Sequence, residues 1–282
     1  MSSASSKTSS KTKKTPAKKQ GFWRKLFISK NDDKAARDGL KDLSYGPVSG
    51  LVVAIGAFIA ANVGAVLLLY VYPFFKGWNT AQADHWFATS AVSQFCLFLF
   101  ANAITAGLVY WFLRARKQKL EQVGLARPRP RDLLFGLAAL PVYLVSLALL
   151  LAFVASAIKS VDVDAQQQLF TAPTVGPVLI LVFIALVLLP PLVEEAVFRG
   201  FLFTGLRKKL PFLWTTVIVS AIFGSLHLSG GSDGPLWVAA IDTAVLSFFL
   251  CYLREKTGSI WASVTLHMLK NLIAFIGLFV IK

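Results

Sequence analysis

Glu194 and Glu195 stand side by side in the stretch LVFIALVLLPPLVEEAVFRGFLF, where almost every neighbour is apolar and Arg199 follows four residues after the second glutamate. A carboxylate inside a bilayer costs at least about 2.5 kcal/mol even on lenient insertion scales, so such residues pair with a counter-charge or do chemistry. On a helix Glu195 and Arg199 share a face, with the acid placed N-terminal to the base as a pair requires. Glu194 is turned about 100° away from Glu195. This phase makes Glu195 with Arg199 an orienting ion pair and leaves Glu194 as the reactive carboxylate. The competing reading is one buried network of all three charges that only holds helices together.

Three further residues extend the set. Glu194 lies before the basic turn at Lys208 and Lys209 by about as many residues as His227 lies after it, which puts both about 22 to 24 Å from the turn on an antiparallel helix pair. A carboxylate level with an imidazole in a low-dielectric site is equipment for activating water, and the same His can ligate a metal. A lone His on an apolar face is more often structural, and the level glutamate favours function here. His267 and Asn271, four apart, share one helical face and both can donate hydrogen bonds, as an oxyanion hole requires. Polar glue between helices is the alternative use of such a pair. Asp242 and Lys270 are also intramembrane by position, and sequence leaves open whether they pair.

These residues must be held by helices that cross a membrane. The chain has 282 residues, 56% of them hydrophobic, and a mean hydropathy of +0.64, more apolar surface than one soluble core of this length buries. Apolar runs at 48–75, 90–113, 132–158, 175–193, 211–229, 235–253 and 259–281 predict an all-α polytopic bundle of about seven spans, within a range of six to eight. Pro190 and Pro191 are expected to kink or break the fourth. Lys and Arg gather after the second, fourth and sixth spans and are sparse in the alternate loops. The positive-inside rule then puts the N-terminus in the cytoplasm and the C-terminus outside.

The net charge of +15 owes much to residues 1–46, which hold 12 Lys and Arg against 4 Asp. That stretch is expected to be a largely disordered cytoplasmic tail ahead of a transmembrane domain at 47–282. Its GFWRKLF segment suits contact with an anionic lipid leaflet. No recognition module accompanies the charge, so nucleic acid is not an expected partner. Cys96 and Cys251 fall inside predicted spans, outside any ligand-spaced cluster, and read as apolar fillers.

Taken together, EEAVFR at 194–199, FGSLH at 223–227 and HMLKN at 267–271 resemble the three motifs of the CAAX prenyl protease and bacteriocin-processing family of intramembrane proteases. The resemblance covers about residues 130–280. It implies an all-helical membrane endopeptidase of a bacterial cytoplasmic membrane, acting on a peptide or membrane-protein substrate. Glu194 and His227 match the water-activating residues, His267 and Asn271 the oxyanion-binding residues, and Glu195 and Arg199 the supporting pair. Glu194, His227 and His267 are the candidate ligands if a divalent metal such as zinc is used, although no HExxH helix is present, and a metal-free mechanism fits the same residues. The readings from other classes are a non-catalytic immunity or scaffold protein and a small proton-coupled transporter, the latter disfavoured because only one half of the chain has a proline-interrupted span.

Overall fold

The computed structural model describes residues 28–157, 170, 176–228 and 235–281. In chain order its helices are α1 (Lys30–Asp38), α2 (Pro47–Lys76), α3 (Thr80–Thr89), α4 (Ala91–Ala115), α5 (Pro130–Ala157), α6 (Val178–Arg207), α7 (Phe212–Ser225), α8 (Trp237–Thr257) and α9 (Trp261–Phe279), and no strand occurs among the described residues. Six of these, α2, α4, α5, α6, α8 and α9, are long and apolar enough to cross a membrane. The fifth expected span, 211–229, is represented by α7, which has 14 residues and at 1.5 Å each reaches only about 21 Å. The Ser/Thr/Lys-rich start of the tail and the GFWRKLF segment lie outside the described residues. Within the stretch expected to be disordered, α1 forms because Ser29 and Asp32 close a capping box, each side chain accepting from the other's backbone N–H.

The helix α2 packs its small side inward and its large side outward. Along α2, Ala54, Ala57, Ala61 and Ala65 are buried at three- and four-residue spacing, while Val52, Ile59, Val63 and Leu67 on the opposite side are each more than half exposed. Lipid is as apolar as valine, so nothing drives these large side chains inward, and close backbone approach decides which face is interior. Glycines mark two such crossings. A Cβ at Gly136 of α5 would come within 2.6 Å of the Ala262 carbonyl of α9, and one at Gly224 of α7 within 2.7 Å of the Ala240 carbonyl of α8.

The two ends of the bundle differ in chemistry. At one end Tyr72, Trp78 and Trp86 form a mutual ring cluster where α2 turns into α3, with Lys76 over the Tyr72 ring. At the other, the segments rich in Lys and Arg are tied to one another. Arg207 pairs with Glu255 at 2.6 Å and Asp33 at 3.2 Å, Arg116 donates to the Ser44 carbonyl, and Arg129 donates to the Thr257 carbonyl. An aromatic belt and a basic rim at opposite ends are what two headgroup layers select.

Pro190 and Pro191 do not break α6. The helix runs on through them because it widens to π-helical geometry over Ile184–Leu188, just before the prolines, and again over Glu195–Leu202. Leu189 thus donates to the Ile184 carbonyl five residues back, and the local widening absorbs the missing proline N–H groups.

Candidate active site

The second π-helical stretch begins at Glu195 and carries Arg199. Both are fully buried, and the Arg199 Nη1 to Glu195 Oε1 distance is 3.0 Å, the four-residue pair expected from spacing. The same Glu195 oxygen lies 2.9 Å from His267 Nδ1. A carboxylate at that nitrogen requires a proton on Nδ1, which fixes the ring's orientation and turns Nε2 away from Glu195. His267 Nε2 sits 4.0 Å from Glu194 Oε2. That is too long for a hydrogen bond and short enough for one small molecule to touch both atoms. Glu194 is 28% exposed whereas Glu195 is not exposed at all, so the adjacent glutamates have separate environments, as their helical phase predicts.

Phe223 of α7 is the packing centre that sequence reading missed. Arg199 stacks its guanidinium 4.4 Å over this ring, Phe198 meets it edge-on at 5.0 Å, and His267 meets it edge-on at 6.0 Å. His227, one turn further along the chain, meets it in a tilted contact at 5.0 Å, and its Nδ1 is 2.8 Å from the Phe223 carbonyl. A carbonyl only accepts, so His227 Nδ1 carries a hydrogen, and in the neutral ring Nε2 is then the acceptor. Among the described residues His227 makes no hydrogen bond or ion pair with Glu194. It joins the site through Phe223, a residue whose only sequence signal was its place as the first letter of FGSLH.

Asn271 is brought to α6 by an unexpected partner. Its Nδ2 donates to the Leu186 carbonyl at 2.9 Å. The residues four and five positions after Leu186 are Pro190 and Pro191, so neither α- nor π-helical bonding can supply that carbonyl with a donor. Asn271 fills the gap with one amide hydrogen and retains a second.

Two more buried groups support the site. Arg254, one of the basic residues gathered after the sixth expected span, is almost wholly buried and donates to the Arg199 carbonyl at 3.2 Å and to Thr204 Oγ1 at 3.3 Å. It passes against Gly124, whose φ is +81° and where a Cβ would lie 2.7 Å from Arg254 Nε. Tyr45 donates to the Phe201 carbonyl at 2.9 Å, and burial pushes its phenol well above the ordinary tyrosine range, which keeps it a donor. Both donors thus serve carbonyls of the π-helical stretch that holds Glu195 and Arg199. Apart from these, Asp242 pairs with Lys270 at 3.1 Å and accepts from Tyr143, which resolves the question left open for Lys270.

Residues 176–273 match the family model described as type II CAAX prenyl endopeptidase Rce1-like. The match carries the resemblance drawn from the three motifs, and the Rce1-like region contains Glu194, Glu195, Arg199, His227, His267 and Asn271. It runs from just before α6 into α9, so the chain carries an Rce1-like region inside an integral membrane helical bundle. No curated protein and no solved structure matches the chain.

The residues do not make a three-ligand metal site as they are folded. Among the described residues no three His, Cys, Asp or Glu side chains come together in a group able to hold an ion. His267 gives Nδ1 to Glu195 and His227 gives Nδ1 to a backbone carbonyl, so only Glu194 and His267 approach each other with free atoms.

Proposed function

We propose that the protein is an intramembrane endopeptidase in which Glu194 activates water for attack on a substrate peptide carbonyl. The observation that carries this reading is the division of labour at His267. Glu195 fixes Nδ1 at 2.9 Å while Nε2 faces Glu194 across 4.0 Å, which leaves one carboxylate committed and the other free.

Water between Glu194 and His227 gives one hydrogen to the Glu194 carboxylate and directs the other to the His227 Nε2 lone pair. As its oxygen bonds the carbonyl carbon, negative charge moves to the carbonyl oxygen. His267 acts as a donor at the site when Nε2 as well as Nδ1 carries a hydrogen. In that state its Nε2–H and the second amide hydrogen of Asn271 face the developing oxyanion, where fixed donors are worth about 3 to 4 kcal/mol each in a water-poor site. The proton held by Glu194 then passes to the leaving nitrogen as the C–N bond breaks, regenerating the carboxylate. On the same reading the basic rim faces the cytoplasm of a bacterial cell, as the charge distribution predicts.

The test compares membrane proteomes of cells carrying wild type and Glu194→Gln, followed by cleavage of the accumulating protein by purified enzyme. Glu194→Gln and His227→Ala should each lower kcat by at least about a hundredfold with the fold retained. Folded variants that cleave as well as wild type would remove both residues from the mechanism.

A further inference from the structure

A cleft of about 380 Å³ at the basic end of the bundle is lined by Arg37, Asp38, Lys41, Lys208 and Lys209. We infer that it binds the phosphodiester headgroup of an anionic phospholipid. Its walls come from parts of the chain that are remote in sequence. One is α1 and the residues after it, and the other is the turn joining α6 to α7. Folding brings the two together deliberately: Asp33 of α1 accepts from the Phe212 backbone N–H at 2.7 Å and pairs with Arg207 at 3.2 Å, while Lys208 donates to the Leu43 carbonyl at 2.5 Å.

The docking leaves like charges facing one another. Asp33 and Asp38 answer Arg37 and Lys41 at 3.2 and 3.1 Å. Lys208 has only a neutral carbonyl, and the Lys209 side chain has no hydrogen-bond or ion-pair partner among the described residues. Two cations, Lys208 and Lys209, therefore stand in the cleft without a carboxylate partner, beside two that are paired, so an entering anion finds uncompensated positive charge. The chain's own preceding segment is a poor candidate, since residues 1–27 contain eight Lys and Arg and no acidic residue.

The level of the cleft selects a lipid over a free ion. Lys208 and Lys209 follow directly on the last residue of the α6 span, and Leu213 and Trp214, in the first turn of α7, are 57% and 60% exposed. Val48, in the first turn of α2, is 75% exposed. Large apolar side chains exposed beside a basic cleft at a span end define the headgroup layer, where phosphate and acyl chain are both offered.

The experiment titrates the full-length protein in neutral detergent with phosphatidylglycerol, phosphatidylcholine or inorganic phosphate and counts bound molecules by native mass spectrometry. Wild type should retain phosphatidylglycerol, and not phosphatidylcholine. Lys209→Gln should weaken binding about fivefold and Lys208→Gln with Lys209→Gln about thirtyfold, from about 1 kcal/mol per surface lysine. Lys117→Gln with Lys119→Gln, at a different basic cleft, should leave binding within twofold. Equal loss in that control overturns the assignment to this cleft, as does unchanged binding in both cleft variants. Displacement of the lipid by inorganic phosphate at equal concentration would assign the cleft to a soluble anion instead. If Lys208→Gln disturbs folding through the Leu43 contact, Lys209→Gln decides alone, because its side chain touches no described partner.

Discussion

Asn271→Leu tests the link between the prolines of α6 and the third motif. The substitution removes the only donor to the Leu186 carbonyl among the described residues, since Pro190 and Pro191 occupy both positions from which an α- or π-helix could supply one. Leaving a buried carbonyl without a partner costs about 1 to 3 kcal/mol, about twice what a merely lost hydrogen bond costs. Pro190→Ala returns an N–H four residues after Leu186, so on that background Asn271→Leu should cost about 1 kcal/mol or less. Unfolding in mixed detergent micelles, followed by helicity, measures the cycle, and cleavage of a peptide substrate is read in parallel. The two signals should separate: Pro190→Ala restores most of the stability lost in Asn271→Leu and none of the cleavage, because the amide hydrogen offered to the oxyanion is still missing. Equal destabilisation on both backgrounds would refute the claim that Asn271 compensates for the prolines. Restored cleavage would refute its place in the oxyanion site.

Arg199→Met should destabilise by about 3 to 5 kcal/mol, since it leaves the Glu195 carboxylate buried with His267 alone, and Glu195→Leu with Arg199→Met should cost less than Arg199→Met by itself when compared in the same unfolding assay. Gly124→Ala should lower stability by about 1 to 2 kcal/mol from its left-handed φ, and more if Arg254 is displaced, with cleavage falling as the Arg199 carbonyl loses its donor. Lys270→Met should cost about 1 to 2 kcal/mol, because Asp242 keeps its Tyr143 partner and both charges are partly exposed, and its effect on kcat should be small beside that of Glu194→Gln. Exhaustive dialysis against EDTA should leave cleavage within twofold; a loss restored by zinc would show that the donors rearrange into a metal site when substrate binds.

The parts of the site legible in sequence were those governed by one helix at a time. Four-residue spacing gave the Glu195 and Arg199 pair, and the period of 3.6 separated Glu194 from it, because both are properties of a single continuous element. Contacts between elements were not legible. Nothing in the spacing tells that Glu195 serves His267, 72 residues away, or that the Asn271 amide serves a carbonyl of α6. The expectation that the prolines kink or break the helix assumed α-helical bonding throughout, whereas the widened turn lets the helix continue through them. Arg254 was read by its count among cytoplasmic charges, although its partners are the Arg199 carbonyl and Thr204, and a backbone carbonyl leaves no trace in residue type. Inward alanines along α2 were visible as a stripe only after the outward face was recognised as a lipid face.

The shortness of α7 has a consequence for how a peptide bond meets water. A helix of about 21 Å falls about 9 Å short of a hydrocarbon layer of about 30 Å, and His227 lies two residues past its last turn. Such a mismatch is relieved by thinning the bilayer or by letting the headgroup layer dip toward the helix end, each at fractions of a kcal/mol per ångström. Either response sets His227, and with it the site proposed for hydrolysis, beside a dimple in the membrane. On the proposed function, a substrate helix sliding sideways into that dimple would exchange lipid contact for hydration gradually, so its scissile bond would be wetted before it is cut.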